Sequence, residues 1–183
     1  MGNPILKAVA PRVEDPTSPD IARLAQDLID TCEDIGGNGI AAPQIYESLR
    51  MFVYRVRSKM IPDGVDMQTI PWTVCINPVI EPLSDETKLY WERCLSLPGL
   101  YGQLPRYVNI RFTWTDLSGV TRSQRTSGYH ARLLQHEYDH LDGYLYPMRM
   151  TDPGTLGYVS ELETPSYPNL PRDIEDFVNP QPD

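Results

Sequence analysis

The sequence predicts an α+β fold, with antiparallel β-sheets packed around a central α-helix and a second helix near the N-terminus. Between the two helical segments lie several strand-like runs, without the strand–helix alternation that is typical of a parallel sheet. A length of 183 residues suits one domain with a sizeable core. We expect that domain to span 1–183, as a core over 2–150 and an acidic, proline-rich C-terminal tail over 151–183.

Composition and charge exclude several kinds of protein. With 16 Lys and Arg against 25 Asp and Glu, the net charge of −9 argues against nucleic-acid binding. Three scattered cysteines are too few for a disulfide framework and fit a reducing compartment. No run approaches the roughly 20 apolar residues of a membrane span, and no signal peptide is evident. We expect a cytoplasmic protein without membrane partners, with a mature organellar protein as the alternative.

The N-terminal helix is predicted from a start signal that follows a proline-interrupted surface arm over 3–17. Ser18–Asp20 supplies a hydroxyl cap, a proline in the first turn and an acid near the positive end of the helix. Apolar residues then recur at helical spacing to about Glu33, and Gly36 ends the helix. Cys32 lies on this apolar face, so it is interpreted as a packing residue.

The strands are predicted from β-branched and aromatic residues bounded by turn residues. Tyr107–Thr115 alternates most clearly, with apolar side chains on one face and polar side chains on the other, as in a half-buried antiparallel strand. Cys75 is interpreted as a small buried residue within a strand. Strands are expected at 50–57, 72–80, 87–93, 107–115 and 120–125, a short added strand within 155–161, and loops at 37–44, 58–71 and 97–105.

The central helix is predicted over Tyr129–Gly143, and polar chemistry interrupts its most apolar face. Five residues share that face at the spacing i, i+3, i+4, i+7 and i+8, namely Leu133, His136, Glu137, His140 and Leu141. Two imidazoles and a carboxylate thus occupy positions where leucines are expected, and burying them without partners would cost several kcal/mol. Gly143 is a suitable helix end, because glycine adopts the left-handed conformation without steric cost.

A metal ion would satisfy these buried polar side chains. His136 and His140 are four residues apart, so they project about 40° from each other and about 6 Å apart along the axis. Glu137 lies between them and is placed to act as general base on a water molecule, as in the H-E-x-x-H arrangement. The alternative is a chance match of three fixed positions on an ordinary helix.

The third ligand has few candidates in this chain. Zinc proteases with this motif take a Glu or His further downstream, but no histidine follows His140 and the later glutamates lie in the proline-rich tail. His130 lies about 120° around the helix from His136, which makes it a poor ligand. Cys94 follows a strand and would complete a Cys/His/His set that leaves a fourth position open for water.

With these residues in place, the chain resembles the peptide deformylases, which remove the formyl group from the N-terminal methionine of nascent chains. Gly37–Gln44 is similar to the family motif G-x-G-L-A-A-x-Q, Glu92–Ser96 to E-G-C-L-S, and Gln135–His140 to Q-H-E-x-D-H. The resemblance covers roughly residues 2–150. Ile40 replaces the usual Leu, which is a conservative change. Arg93 replaces the usual Gly, which is expected to put a long cation beside the ligand Cys94 and to alter the rim of the site there. No ligand or catalytic position is altered.

The resemblance implies roles for the remaining polar groups. Gln44 and the backbone N–H of Leu95 are expected to stabilise the oxyanion, and Glu137 is expected to pass the proton to the leaving amine. Fe(II), one per chain, is implied as the physiological metal, with Zn, Ni or Co able to substitute. The sulfur and nitrogen ligands by themselves indicate only a transition metal.

The resemblance also implies a pocket for the methionine side chain near Gly39, Tyr129 and Leu133, with Arg132 at its mouth. The residues expected to contact substrate are Asn38, Gly39, Ile40, Glu92, Tyr129, Arg132 and Leu133. Glu92 and Arg106 are expected to pair, either in support of the metal ligands or as an ordinary surface ion pair.

The implied partners are the N-formyl-Met peptides of nascent chains, met in transient proximity to the ribosome. The tail carries seven acids and one base, so we expect it not to dock on ribosomal RNA, because affinity for nucleic acid rests largely on Lys and Arg contacts to phosphate. Two other functions stay open. A general HExxH zinc endopeptidase lacks its downstream ligand here, and a non-catalytic, metal-stabilised relative has no need of the intact Glu137 and Gln44.

Overall fold

Two antiparallel β-sheets enclose one long helix in the computed structural model, which describes residues 1–58, 61 and 68–162. The helices are α1 (Pro19–Asp34), α2 (Gly128–Leu141) and α3 (Val159–Leu162). The strands are β1 (Gly39–Ala41), β2 (Met51–Val56), β3 (Ile70–Pro82), β4 (Thr87–Arg93), β5 (Leu100–Tyr107), β6 (Asn109–Thr115), β7 (Thr121–Ser127) and β8 (Gly157–Tyr158). The predicted α+β class, with antiparallel sheets around a central helix, is confirmed.

The five-stranded sheet is covered by a helix on each of its faces. Its order is β1-β2-β3-β6-β7, and a second sheet has the order β4-β5-β8. Along β2, Phe52 and Tyr54 pack in the cluster that contains Leu134 of α2, whereas Met51 and Val53 pack in the cluster of α1. Successive side chains of a strand point to opposite faces, so this central strand is buried on both sides and α2 lies between the two sheets.

The start signal of α1 and the end signals of both long helices are confirmed. Ser18 caps α1, its Oγ accepting a hydrogen bond from the Ile21 N–H at 3.3 Å. Helix α2 ends at Leu141, and Gly143 takes a φ of 76° beside the N-terminal arm. A Cβ on Gly143 would lie 2.6 Å from the Lys7 carbonyl oxygen, so both the left-handed backbone and the close approach require glycine.

The N-terminal arm is fixed to the first sheet through one side chain. Asn77 donates to the Val13 carbonyl and accepts from the Val13 N–H, both at 2.9 Å. Asn77 has a φ of 49°, and the register with β6 shifts between Ile76 and Val79. This register shift marks a β-bulge, and the turned backbone directs the buried Asn77 side chain to the arm.

Two loop predictions are wrong. Leu97–Pro105 was expected to be a loop, but the chain from Leu100 forms β5, paired along its length with β4. Pro105 is tolerated because β8 pairs with β5 only at the other end of the strand, so no ladder hydrogen bond is lost there. The segment 37–44 contains β1 and a 3-10 turn, Ala42–Ile45, because β1 pairs with β2. Neither pairing has a local sequence signal.

The C-terminal segment adds a short edge to the second sheet. The strand expected within 155–161 is confirmed only for Gly157–Tyr158, since Val159–Leu162 is a helical turn. The prediction for the tail beyond 162, and part of the loop expected at 58–71, fall outside the described residues. In the part of the chain that the structure describes, no helix is both long and apolar enough to cross a membrane.

Candidate metal centre

A sulfur and two imidazole nitrogens converge where β4 ends beside α2. The ligand atoms of Cys94, His136 and His140 all lie within 4.8 Å of one another. The Cys94 Sγ is 3.3 Å from the His140 Nε2, and both residues are buried. Among the described residues this is the one group of three potential ligands that the structure brings together.

Local geometry explains why these three residues meet. His136 and His140 lie on successive turns of α2 and share one face of the helix, and Cys94 directly follows β4. Glu92 and Cys94 are buried and two residues apart, so they share the side of β4 that faces α2. Arg93 lies between them, exposed on the outer face and opposite Tyr101. The cation that departs from the family motif therefore points away from the ligands.

The other histidine and cysteines lie elsewhere, as expected. His130 Nε2 is 3.1 Å from the Tyr54 hydroxyl, in the core between α2 and the first sheet. Cys32 and Cys75 are fully buried within apolar clusters. Burial raises the pKa of the Cys32 thiol to about 12 and that of the Cys75 thiol well above its ordinary value. Both thiols are therefore protonated packing groups.

The electrostatics of the Cys/His/His group suit a transition metal. Burial raises the pKa of the Cys94 thiol, but the imidazoles of His136 and His140 outweigh that effect and hold its pKa at about 5. Cys94 is thus a thiolate at neutral pH. The His136 Nδ1 is 2.8 Å from a Glu92 oxygen, and a carboxylate only accepts, so Nδ1 donates and Nε2 is the ring nitrogen left to face a metal ion. One thiolate and two imidazoles fit a transition-metal ion.

Glu137 faces the same group of side chains and is buried without a protein partner at one oxygen. Its exposed fraction is 3%, and its Oε2 makes no hydrogen bond within the described structure. Burial raises the pKa of Glu137 to about 7, against the lowering effect of His136 and His140. An orphaned carboxylate oxygen costs free energy in a folded protein, so a metal, water or substrate group is the expected partner.

Gly39 permits the close approach of Glu137 to strand β1. A Cβ at this position would lie 2.8 Å from the Glu137 Cδ and 3.0 Å from its Cγ. Side-chain atoms do not approach each other so closely without displacement. The glycine therefore lets the backbone of an edge strand lie directly against the carboxylate, and any larger residue would push one of them away.

Gln44 is held beside the ligand loop by both ends of its amide. Its Oε1 accepts from the Ala41 N–H at 2.9 Å, and its Nε2 donates to the Ser96 Oγ at 3.1 Å. The Nε2 lies 3.8 Å from the Cys94 Sγ. Leu95, between Cys94 and Ser96, has an exposed side chain, so only its backbone N–H is available to the site. The two predicted oxyanion donors therefore border the metal ligands.

The predicted pocket residues divide into two groups. Asn38 donates to the Tyr129 hydroxyl at 3.3 Å, and the Arg132 guanidinium stacks 5.1 Å from the Tyr129 ring centre. These residues adjoin Gly39 and the first turns of α2, with Leu133 partly buried among them. Ile40 is different, because its side chain packs in the cluster of α1. Only the backbone of Ile40 is therefore available to the site.

Glu92 lies behind the ligands in a buried ionic network. Its two oxygens accept from the Arg106 Nε and Nη2, each at 2.9 Å. Both side chains are 5% exposed, so the pair is not an ordinary surface ion pair. The other interpretation, a pair that supports the metal ligands, agrees with this burial. Arg106 also donates to Asp139 at 2.6 Å. Asp139 stands in the Q-H-E-x-D-H motif, but no local pattern assigns it this partner, because Arg106 lies on β5 of the second sheet.

The fold and the site together define a metallohydrolase in which a cysteine lies beside the two histidines of an H-E-x-x-H motif. The family model for polypeptide deformylase matches residues 1–155. A peptide deformylase of Nitrosomonas europaea is 42% identical over 162 residues, covering 88% of this chain and 91% of the relative. One of Ralstonia nicotianae is 41% identical over 177 residues, covering 96% of each. This chain therefore belongs to the polypeptide deformylase family.

Solved structures agree with this assignment. A Met-Ala-Ser-bound class I type b peptide deformylase of Acinetobacter baumannii has a TM-score of 0.74 at 34% identity, covering 82% of this chain and 94% of that one. An actinonin complex of the enzyme of Synechococcus elongatus has a TM-score of 0.72 at 28% identity, covering 84% and 78%. The predicted family and enzyme class are confirmed, and neither alternative function is favoured.

Proposed function

We propose that this chain hydrolyses the formamide bond at the N-terminal methionine of nascent polypeptides, with Glu137 as the proton-transfer group. The observation that carries the proposal is a buried carboxylate with one unpartnered oxygen, beside a preformed Cys/His/His set in a deformylase fold. The Acinetobacter baumannii relative was solved with Met-Ala-Ser bound, which is the peptide product expected from a formylated substrate.

The proposed mechanism assigns one task to each group. A divalent metal held by Cys94, His136 and His140 would polarise the formyl carbonyl and lower the pKa of a water molecule. Glu137 accepts a proton as the water oxygen attacks the formyl carbon, and it returns that proton to the amine nitrogen as the carbon–nitrogen bond breaks. The products are formate and a free N-terminus.

The remaining predicted residues position the substrate and its oxyanion. Gln44 and the Leu95 N–H border the ligands, where preformed donors stabilise developing negative charge. Strand β1 has one partner, β2, and lies at the edge of its sheet, so a peptide can extend the sheet alongside Gly39. The methionine side chain would then enter the space near Tyr129 and Leu133, with Arg132 at its mouth. We propose Glu92 as the group that orients His136 rather than as a direct substrate contact.

We propose Fe(II) as the physiological ion, with Zn, Ni or Co able to replace it, because a thiolate with imidazoles accepts all of these ions. The enzyme would act in the cytoplasm or an organelle, near ribosomes, without binding RNA through its acidic tail.

Formate release from formyl-Met-Ala-Ser under anaerobic conditions tests the function. Turnover of this peptide, without cleavage of internal peptide bonds in an unformylated longer peptide, is the expected result. Cleavage of internal bonds would instead make the chain an endopeptidase. Metal binding without either activity would make it a non-catalytic relative.

A further inference from the structure

A continuous series of ion pairs joins the ligand His136 to the protein surface. From His136 the contacts pass to Glu92, then to Arg106, Asp139 and Arg149. The successive distances are 2.8 Å, 2.9 Å, 2.6 Å and 2.9 Å. The series brings together residues of β4, β5, α2 and the 3-10 turn Tyr146–Arg149 that follows the helix.

The charges of this series balance only when the outermost residue is counted. Glu92, Arg106 and Asp139 are between 5% and 7% exposed, and they carry two negative charges and one positive charge. Buried charge without compensation is costly. Arg149 supplies the second positive charge at Asp139, and its side chain is 41% exposed.

Arg106 is shared between two carboxylates, so its position depends on how each is compensated. It binds Glu92 through Nε and Nη2 and Asp139 through Nη1. With Arg149 present, Asp139 pairs with two cations, so its attraction for Arg106 is partly offset. Without Arg149, Asp139 would attract Arg106 more strongly and weaken the two hydrogen bonds that Arg106 donates to Glu92.

Arg149 is also held in place from outside. Its guanidinium lies 4.0 Å from the centre of the Tyr144 ring, a separation at which a cation is attracted to an aromatic face. One flat group thus packs on Tyr144 and donates to Asp139 at once. Such a residue is preorganised, unlike an exposed lysine or arginine whose side chain is free to rotate.

We infer that Arg149 is a positioning residue for the metal centre, acting through Asp139, Arg106 and Glu92 on the orientation of His136. It touches neither substrate nor metal. The inference rests on the proposed metal site, and it extends that site from the three ligands to a side chain at the surface. Groups that orient a metal-ligating histidine affect metal affinity because a tilted imidazole is a weaker ligand.

The test is the affinity of metal-free protein for Ni²⁺, measured by competition with a chelating dye. Arg149→Met keeps an apolar stem against Tyr144 but removes the charge. Replacing a direct partner of a metal ligand weakens binding by roughly 10- to 100-fold, so a more distant and partly exposed group should weaken it by about 3- to 10-fold. Arg149→Lys, which restores the charge, should recover most of the loss.

Arg111→Met is the matched control. Arg111 is similarly exposed, at 43%, and pairs with Glu81 on the first sheet, away from the metal centre. Its replacement should leave the affinity for Ni²⁺ within about twofold, the scatter expected for a pair that contributes little. Thermal unfolding of both metal-free variants establishes that each is folded at the temperature of the binding measurement.

A double-substitution cycle decides the route of the effect. In a Glu92→Gln background the ionic link to His136 is already broken, so adding Arg149→Met should weaken Ni²⁺ binding no further. Three results would overturn the inference: unchanged affinity in Arg149→Met, tighter binding, which would indicate a simple long-range charge effect, or an equal loss in the Glu92→Gln background. Because no turnover is measured, the result is independent of whether the chain removes formyl groups.

Discussion

Replacing Gly39 by alanine tests how closely strand β1 must approach the proposed general base. The added Cβ would stand 2.8 Å from the Glu137 Cδ and 3.0 Å from its Cγ. An ordinary contact between carbon atoms is about 3.5–4.0 Å, so strand and carboxylate must separate by up to about 1 Å. Glu137 is on a helix and Gly39 is paired to Tyr54 of β2, so neither can yield without moving its neighbours.

The expected loss is larger for catalysis than for folding. A displacement of about 1 Å of a catalytic group can cost on the order of 10²-fold in rate. Overpacking by one methyl group costs about 1–3 kcal/mol when the surroundings cannot relax. Because β1 is an edge strand, we expect a destabilisation near the lower end of this range. We expect the metal content to be unchanged, because no ligand moves.

The assay compares kcat/KM for formate release from formyl-Met-Ala-Ser, together with thermal unfolding and metal content per chain. Gly154→Ala is the control, since its Cβ would meet only the carboxylate of the exposed Asp152, with Oδ1 the nearest atom at 3.0 Å. The control should keep wild-type activity. If Gly39→Ala turns over within threefold of the wild type, the close approach has no role in catalysis and the steric reasoning fails.

Three further predictions concern other parts of the molecule. Glu137→Gln should keep the metal but lose about 10²–10⁴-fold in kcat, because an amide cannot accept the proton; near-normal turnover would remove Glu137 from its role. Cys94→Ser should lose tightly bound metal on gel filtration, because a serine hydroxyl is a poor ligand, whereas Cys32→Ser should retain a full equivalent; a full equivalent in Cys94→Ser would exclude the thiolate ligand. Burial lowers the pKa of His130 to about 4, below its unfolded value of about 6.5. Unfolded chains therefore bind the proton first, and stability is lost as pH falls, by roughly 2 kcal/mol between pH 7 and pH 5. His130→Phe should remove that part of the pH dependence in urea unfolding, and identical slopes for the two proteins would contradict the assignment.

Elements whose signals are local can be predicted from the sequence. Helix α1 was predictable because Ser18 and the acids and apolar residues after it act within one or two turns. The spacing of His136 and His140 placed two ligands on one helix face, since helical geometry fixes that relation without any tertiary contact. Cys94 was then predicted as the third ligand by elimination, because few other donors remained in the chain.

Features that depend on pairing between distant segments are evident only in the folded protein. Strand β5, with Pro105 in it and a glycine-bounded start, has weak intrinsic strand character and exists because β4 pairs with it. Asp139 and Arg106 are 33 residues apart in sequence, and only the packing of α2 against β5 brings their side chains together. The outward direction of Arg93 likewise depends on which face of β4 meets α2. Local patterns fix helices and their faces, whereas sheet registers and buried ion pairs are set by contacts between segments that no local pattern encodes.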